Sequence, residues 1–214
     1  MSATAVADAG RQADGVAAST EEQITGYVRE VEFEACARCS ILAGRQYRTN
    51  EGFLRHPNCL CTHKPIISGQ PAPVVQDPYE MFNELPEDQQ DRLYTKAGAQ
   101  AIRDGADIFQ VVNSRRGMSE TVSGSLVTTE GMSRSRGRYR GAAGRIMERN
   151  NVRGARMMPE EIYKRANGNQ RLINQQLERY GYTLPGGQQG EGVIAPSRSG
   201  WYGDPAGERR LRTY

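Results

Sequence analysis

The sequence predicts an α+β protein: a small cysteine-rich domain, then a mainly helical segment, with disordered termini. Three observations lead there. All four cysteines fall between Cys36 and Cys61, beside the chain's only histidines, His56 and His63. From Pro78 onward apolar residues recur at helical spacing. The two ends are Ala-rich or rich in Gly, Pro and Gln, compositions that bury little apolar surface.

Only 37% of the 214 residues are hydrophobic and 24 are glycine, so the core is modest and much of the chain is expected in loops or tails. The net charge of +3 by itself selects no class of partner. No apolar run approaches the ~20 residues that cross a bilayer, and the first twenty residues lack a charged region followed by an apolar one, so no secretory signal is read there. The expectation is a chain without membrane or small-molecule partners, made in a reducing cytoplasm where clustered thiols favour metal over disulfides.

In chain order, residues 1–25 read as a flexible Ala-rich leader, a frayed helix at most. Residues 26–67 form the cysteine-rich domain. The Pro-rich stretch 68–77 reads as a linker. Residues 78–184 then form a helical domain. Pro86 opens a helix, with Glu87 and Asp88 in a first turn that suits the helix dipole. Leu93, Ala97 and Ala101 recur four residues apart, and Gly105 is placed to stop the helix. A short helix over Ile108–Asn113 follows. Residues 114–156 read as an Arg/Gly-rich loop containing a hairpin over Thr121–Thr129 that turns near Ser123-Gly124. Two helices close the domain, one starting at Pro159 (PEEIYKRA) and one from Asn169 to Tyr180, ended by Gly181. Residues 185–214 read as a disordered tail.

The cysteine spacing carries the chemistry. Cys36-x2-Cys39 is followed, after sixteen residues, by His56-x2-Cys59-x-Cys61-x-His63. A CxxC turn brings two thiolates to one ion, and zinc takes four tetrahedral ligands of this kind. Pro57 stiffens the second knuckle. Six candidates compete for four places: the preferred set is Cys36, Cys39, His56 and Cys59, with Cys61 first in reserve and His63 second. Four unrelated buried cysteines, a disulfide pair and a catalytic zinc are the alternatives. A catalytic zinc needs an open position and a nearby base. The deaminase pattern H-x-E with P-C-x-x-C is absent, as is H-E-x-x-H. The expectation is a structural Zn2+ that compensates for a small core.

Two further patterns bear on nucleic acid. Ala101-x3-Gly105-x5-Val111 has the spacing of a helix-turn-helix, with Arg115 and Arg116 beyond it, although any helix–Gly–helix corner produces the same pattern. Arg134, Arg136, Arg138 and Arg140, interleaved with Gly, Ser and Tyr139, suit phosphate contact. They equally suit a solvated loop or one that pairs with acidic neighbours. For catalysis the sequence is poor. It has no G-x-x-x-x-G-K-[ST] loop and no G-x-S-x-G elbow. Both histidines lie in the cysteine cluster, so none is left to act as a general base. A non-enzyme is expected.

The cluster and two later blocks also resemble a known family. ACARCSILAGRQYRTNEGFLRHPNCLCTHKP is similar to the zinc-knuckle region of phage Mu F-like minor head proteins, in the form found in actinobacterial phages and prophages. The family pattern of CxxC, L-x-G and HPxCxC falls on Cys36, Cys39, Leu42-Ala43-Gly44, His56-Pro57, Cys59 and Cys61. DQQDRLYTKAGAQAIRDGADIFQVVNSRRGM and MMPEEIYKRANGN resemble later segments of that branch, in the same order. The resemblance implies a virion component acting in head assembly or at the portal vertex, with the portal and major capsid protein as partners and contact with packaged DNA in reach. Family members commonly carry a longer helical region ahead of the knuckle than this sequence has, so the resemblance carries over no portal-docking role housed there. The alternative expectation is a zinc-containing DNA-binding protein using the helix corner and the arginine loop.

Overall fold

The computed structural model describes residues 3–32, 35–49, 59, 61–71, 73–74, 76–132, 134–135, 138–139 and 141–184. It is α+β, as the sequence predicts, and forms two compact units that divide between Glu84 and Leu85.

The first unit begins with helix α1 (Ala3–Thr20), followed by strand β1 (Ile24–Glu30), a single turn α2 (Ala37–Ser40), β2 (Gln46–Tyr47), β3 (Thr62–Ile67) and α3 (Pro78–Glu84). The leader is thus helical along most of its length. The strands form an antiparallel sheet in the order β2-β1-β3. As the central strand, β1 is buried from Gly26 through Arg29 rather than alternately, because both of its faces are covered. Tyr27 stacks on Tyr47 with ring centroids 5.3 Å apart and meets His63 at 4.3 Å, a cross-strand aromatic ladder. The expected linker is tied down at its end. Gln76 Oε1 accepts from the Val31 amide at 3.3 Å, and Asp77 Oδ1 accepts from the Tyr79 and Glu80 amides at 2.7 and 3.3 Å, capping α3. The unit boundary accordingly falls after α3 and not within 68–77. The buried cluster here is Val31, Ala35, Cys39, Ala43, Cys59, Cys61 and Met81. Most of its members are small, and three are thiols.

The second unit holds α4 (Glu87–Tyr94), α5 (Lys96–Arg103), α6 (Ile108–Ser114), the hairpin β4 (Met118–Glu120) and β5 (Leu126–Thr128), a short ladder of β6 (Arg134–Ser135) with β7 (Arg138–Tyr139), α7 (Ala142–Arg149), β8 (Arg156–Met157), α8 (Pro159–Ala166) and α9 (Gln170–Arg179). β5 pairs with both β4 and β8. Pro86 stands at the start of α4. Gly105, at φ +96°, ends α5, and Gly181, at φ +66°, follows α9, both in the left-handed region that glycine tolerates. The hairpin turn runs through Gly124 at φ +78°. The stretch read as an Arg/Gly-rich loop contains a helix, α7, that the reading missed. It is only eight residues long, and its buried face, Ala143, Gly144, Ile146 and Met147, includes a glycine and lies among arginines that obscure the helical period. Arg156 is buried within this unit. It donates to the Tyr180 and Gly181 carbonyls at 2.7 and 2.8 Å and lies 3.7 Å from the Tyr182 ring centroid. Such a guanidinium is tolerated in the interior only because acceptors and an aromatic face surround it.

Candidate metal centre

Two local structures deliver the sulfurs. Cys36 stands at the N-terminal boundary of α2, and its carbonyl accepts from the Cys39 and Ser40 amides at 2.8 and 3.0 Å. One tight turn therefore joins the first pair of cysteines. Cys59 and Cys61 lie on the segment that enters β3, which pairs along β1 from Glu30 to Ile24. Cys39, Cys59 and Cys61 are all buried, at 2%, 3% and 0% exposure, and their sulfurs lie within 4.8 Å of one another. The Cys39 and Cys59 sulfurs are 3.9 Å apart. Thiolates about 2.3 Å from a tetrahedral ion sit about 3.8 Å from each other, so the spacing and the donor chemistry fit a bound metal. None of the four cysteines is in a disulfide.

Three of the six candidate ligands are thus grouped, and Cys36 and His63 are not in that group. Cys61, held in reserve by the sequence reading, is one of the three grouped sulfurs and the most buried of the cysteines. Cys36 is half-buried and packs against the same cluster. It hydrogen-bonds to Cys39, the largest of the influences that push the Cys39 thiol far up; Cys61 and burial add to it. His63 lies against Tyr27 and outside the group of three sulfurs. His56 lies outside the described residues.

Two arginines that the sequence reading did not single out contact the cysteines, one at their sulfurs and one at their carbonyls. Arg29, 3% exposed, donates from Nη2 to the Cys61 sulfur at 3.2 Å and the Cys39 sulfur at 3.5 Å. Burial works against its charge, but the sulfurs outweigh it and hold the guanidinium protonated more firmly than usual. The Cys61 thiol is lowered to about 5, first by the hydrogen bond from Cys39, with burial opposing and Arg29 assisting. Arg11, on α1, donates from Nε to the Cys61 carbonyl at 2.8 Å and from Nη2 to the Cys59 carbonyl. The only sequence signal for Arg29 is a charged residue directly after Val28 in a strand. Arg11 sits in a polar helix with no signal at all.

The other predicted residues are placed as follows. Ala101 and Val111 are buried around the α5–α6 corner at Gly105. Arg115 is engaged inside its own unit, in an ion pair with Glu160 and a hydrogen bond to Thr95 Oγ1 at 2.5 Å. Arg134 pairs in register with Tyr139, and Arg138 with Ser135. Arg136 and Arg140 lie outside the described residues, as does the 185–214 tail. Among the described residues no helix is long and apolar enough to cross a membrane. The chain matches no family model, no curated protein and no solved structure.

Proposed function

We propose that the cysteine cluster holds a structural zinc ion and that the chain is a non-enzymatic component of a phage head, acting through contacts with other virion proteins. The observation that carries the metal reading is the grouping of three buried sulfurs within 4.8 Å of one another, one pair of them at 3.9 Å. Soft thiolate donors favour zinc over hard divalent ions. Cys36, bonded to Cys39 and packed on the cluster, is the fourth ligand in this reading. A closed four-cysteine set leaves no open position for a substrate. The ion then ties α2 to the strand pair β1–β3 and supplies folding free energy that the small apolar cluster lacks.

The virion reading rests on the resemblance of three sequence blocks, in order, to minor head proteins. Portal and major capsid protein are the proposed partners, and the capsid the proposed location. Two experiments test the two levels separately. Metal analysis of the purified protein should return about one zinc per chain; no metal, with thiols freely titratable in the folded protein, sinks the zinc reading. Mass spectrometry of purified particles should find this chain at stoichiometric abundance; its absence sinks the virion reading.

A DNA-binding role is the second reading, favoured by the α5–α6 corner at Gly105. The engagement of Arg115 by Glu160 counts against groove contact by that residue. A gel shift that weakens steeply with salt and with Ala at Arg134, Arg136, Arg138 and Arg140 would support it. Binding that is absent or insensitive to salt removes it.

A further inference from the structure

The geometry points to Arg29 as a positioning residue of the metal centre, whose guanidinium offsets the excess negative charge of the thiolate set and sets how tightly a divalent ion is held. The inference rests on the zinc reading above and deepens it.

Four thiolates around a divalent ion leave two excess negative charges. Such a charge is costly in a site where three of the four cysteines are 0–3% exposed. One cation touching the sulfurs removes half of it. Arg29 is that cation, with one nitrogen in contact with both Cys39 and Cys61. The two cysteines come from different local structures, the α2 turn and the segment before β3, so the contact spans both halves of the site. Lysine, a compact and strongly hydrated charge, is poorly suited to this place; a planar guanidinium is more weakly hydrated and presents several fixed donors.

The backbone fixes the aim of this side chain. The Arg29 amide donates to the Arg45 carbonyl at 2.8 Å, and its carbonyl accepts from the Gly44 amide at 2.8 Å. On the other side Arg29 is in register with His63 of β3. The central strand is thus held on both edges, and the guanidinium meets the sulfurs with little freedom left to lose. N–H donation to a metal-bound thiolate lowers the energy of the sulfur lone pairs. Outer contacts of this kind typically change metal affinity by about 10–100-fold when removed.

Cobalt(II) reports the effect, because its sulfur-to-metal charge-transfer absorption follows the energy of those lone pairs. The full-length protein and the variants R29Q and R29K are titrated with Co2+ and, in competition with a chromophoric chelator, with Zn2+. The wild type should bind one ion. R29Q should bind about 10–100-fold more weakly, with the charge-transfer band moved to lower energy. R29K, which restores charge but not the two-sulfur contact, should fall between the two. Circular dichroism of metal-loaded R29Q separates loss of fold from loss of affinity. If R29Q does not fold, the band position and affinity of R29K decide in the same way. Unchanged affinity and an unchanged band in the folded variants overturn the role of Arg29 and leave the metal reading intact. A wild type that binds no metal overturns the metal reading itself.

Discussion

Cys36 and His56 differ in what sequence and structure say about them. Spacing favours both as ligands. In the structure Cys36 reaches Cys39 and Cys61 groups with Cys39 and Cys59, while His56 lies outside the described residues; four cysteines complete the proposed set without it. Cys36→Ser should therefore weaken zinc binding by at least tenfold, while His56→Ala should leave the affinity within about twofold; outer contacts alone reach tenfold. Chelator competition measures both, and a reversed ranking would make His56 the fourth ligand. A second titrating residue lies in the other unit. Glu161, 6% exposed, accepts from Arg165 Nε at 2.6 Å, and this hydrogen bond is the main cause that holds its carboxyl below the ordinary range. A carboxyl lowered by folding stabilises the fold above its unfolded-state pKa and loses that contribution as pH falls through the lowered value. Arg165 is 54% exposed on its side chain, so solvent screens the pair and it is worth about 0.3–0.5 kcal/mol. Glu161→Gln should cost that much at neutral pH and nothing well below pH 4, as read by urea denaturation at the two pH values. A cost that persists in acid would assign the effect to packing.

At the scale of elements, α1 meets the rest of its unit chiefly through Arg11, with a longer hydrogen bond from Ser19 Oγ to the Thr49 carbonyl at 3.4 Å. The helix is mostly Ala, Gly and polar residues, and Val6 and Val16 on it are exposed, so apolar burial does little to hold it. The Arg11 guanidinium, anchored by Asp8 at 3.0 Å, satisfies the carbonyls of Cys59 and Cys61. Arg11→Met keeps the stem and removes the donors. It should destabilise the unit by about 1–3 kcal/mol for buried acceptors left unmet and raise amide exchange along α1. Normal exchange protection in α1 would show that another contact docks it. In the second unit Gly141 is the most closely enclosed of the described glycines. An added Cβ would lie 1.9 Å from the Gly131 carbonyl oxygen, at the place where that oxygen accepts from the Gly144 amide at 2.9 Å to start α7. The backbone at Gly141 is ordinary for any residue, φ −72° and ψ 155°, so the objection is steric alone. Gly141→Ala should cost about 1–3 kcal/mol or more in thermal unfolding, whereas Gly10→Ala, with open space around it on α1, should cost nothing.

For the molecule as a whole the two units differ in what stabilises them. The first sets its three buried thiols among mostly small residues, with Val28, Phe82, Tyr27, Tyr47 and Tyr79 buried elsewhere in it. The second buries Tyr94, Ile102, Ile108, Met147, Ile162 and Leu177 at 2% exposure or less and contains no cysteine. Removing metal should therefore unfold one unit selectively. Treatment with a strong chelator should lower or abolish one thermal transition and leave the other within a degree or two. A single cooperative transition shifted as a whole would show that the metal stabilises both units together.

The sequence by itself determined the α+β class and the helices whose ends carry their own signals: Pro86 before α4, Gly105 after α5, Pro159 at the start of α8, Gly181 after α9. It also placed the cysteine cluster, because ligand spacing is local along the chain. It did not reach α7, whose short apolar face is interrupted by glycine and surrounded by arginine, nor the docking of α1. Tertiary structure alone decided which cysteines meet. Cys61 joins Cys39 and Cys59 because pairing of β3 with β1 carries that segment into the site. The same pairing aims Arg29 at the sulfurs, and chain folding brings Arg11 onto carbonyls some fifty residues away. An arginine's partner depends on contacts distant in sequence, and neither spacing nor composition records them.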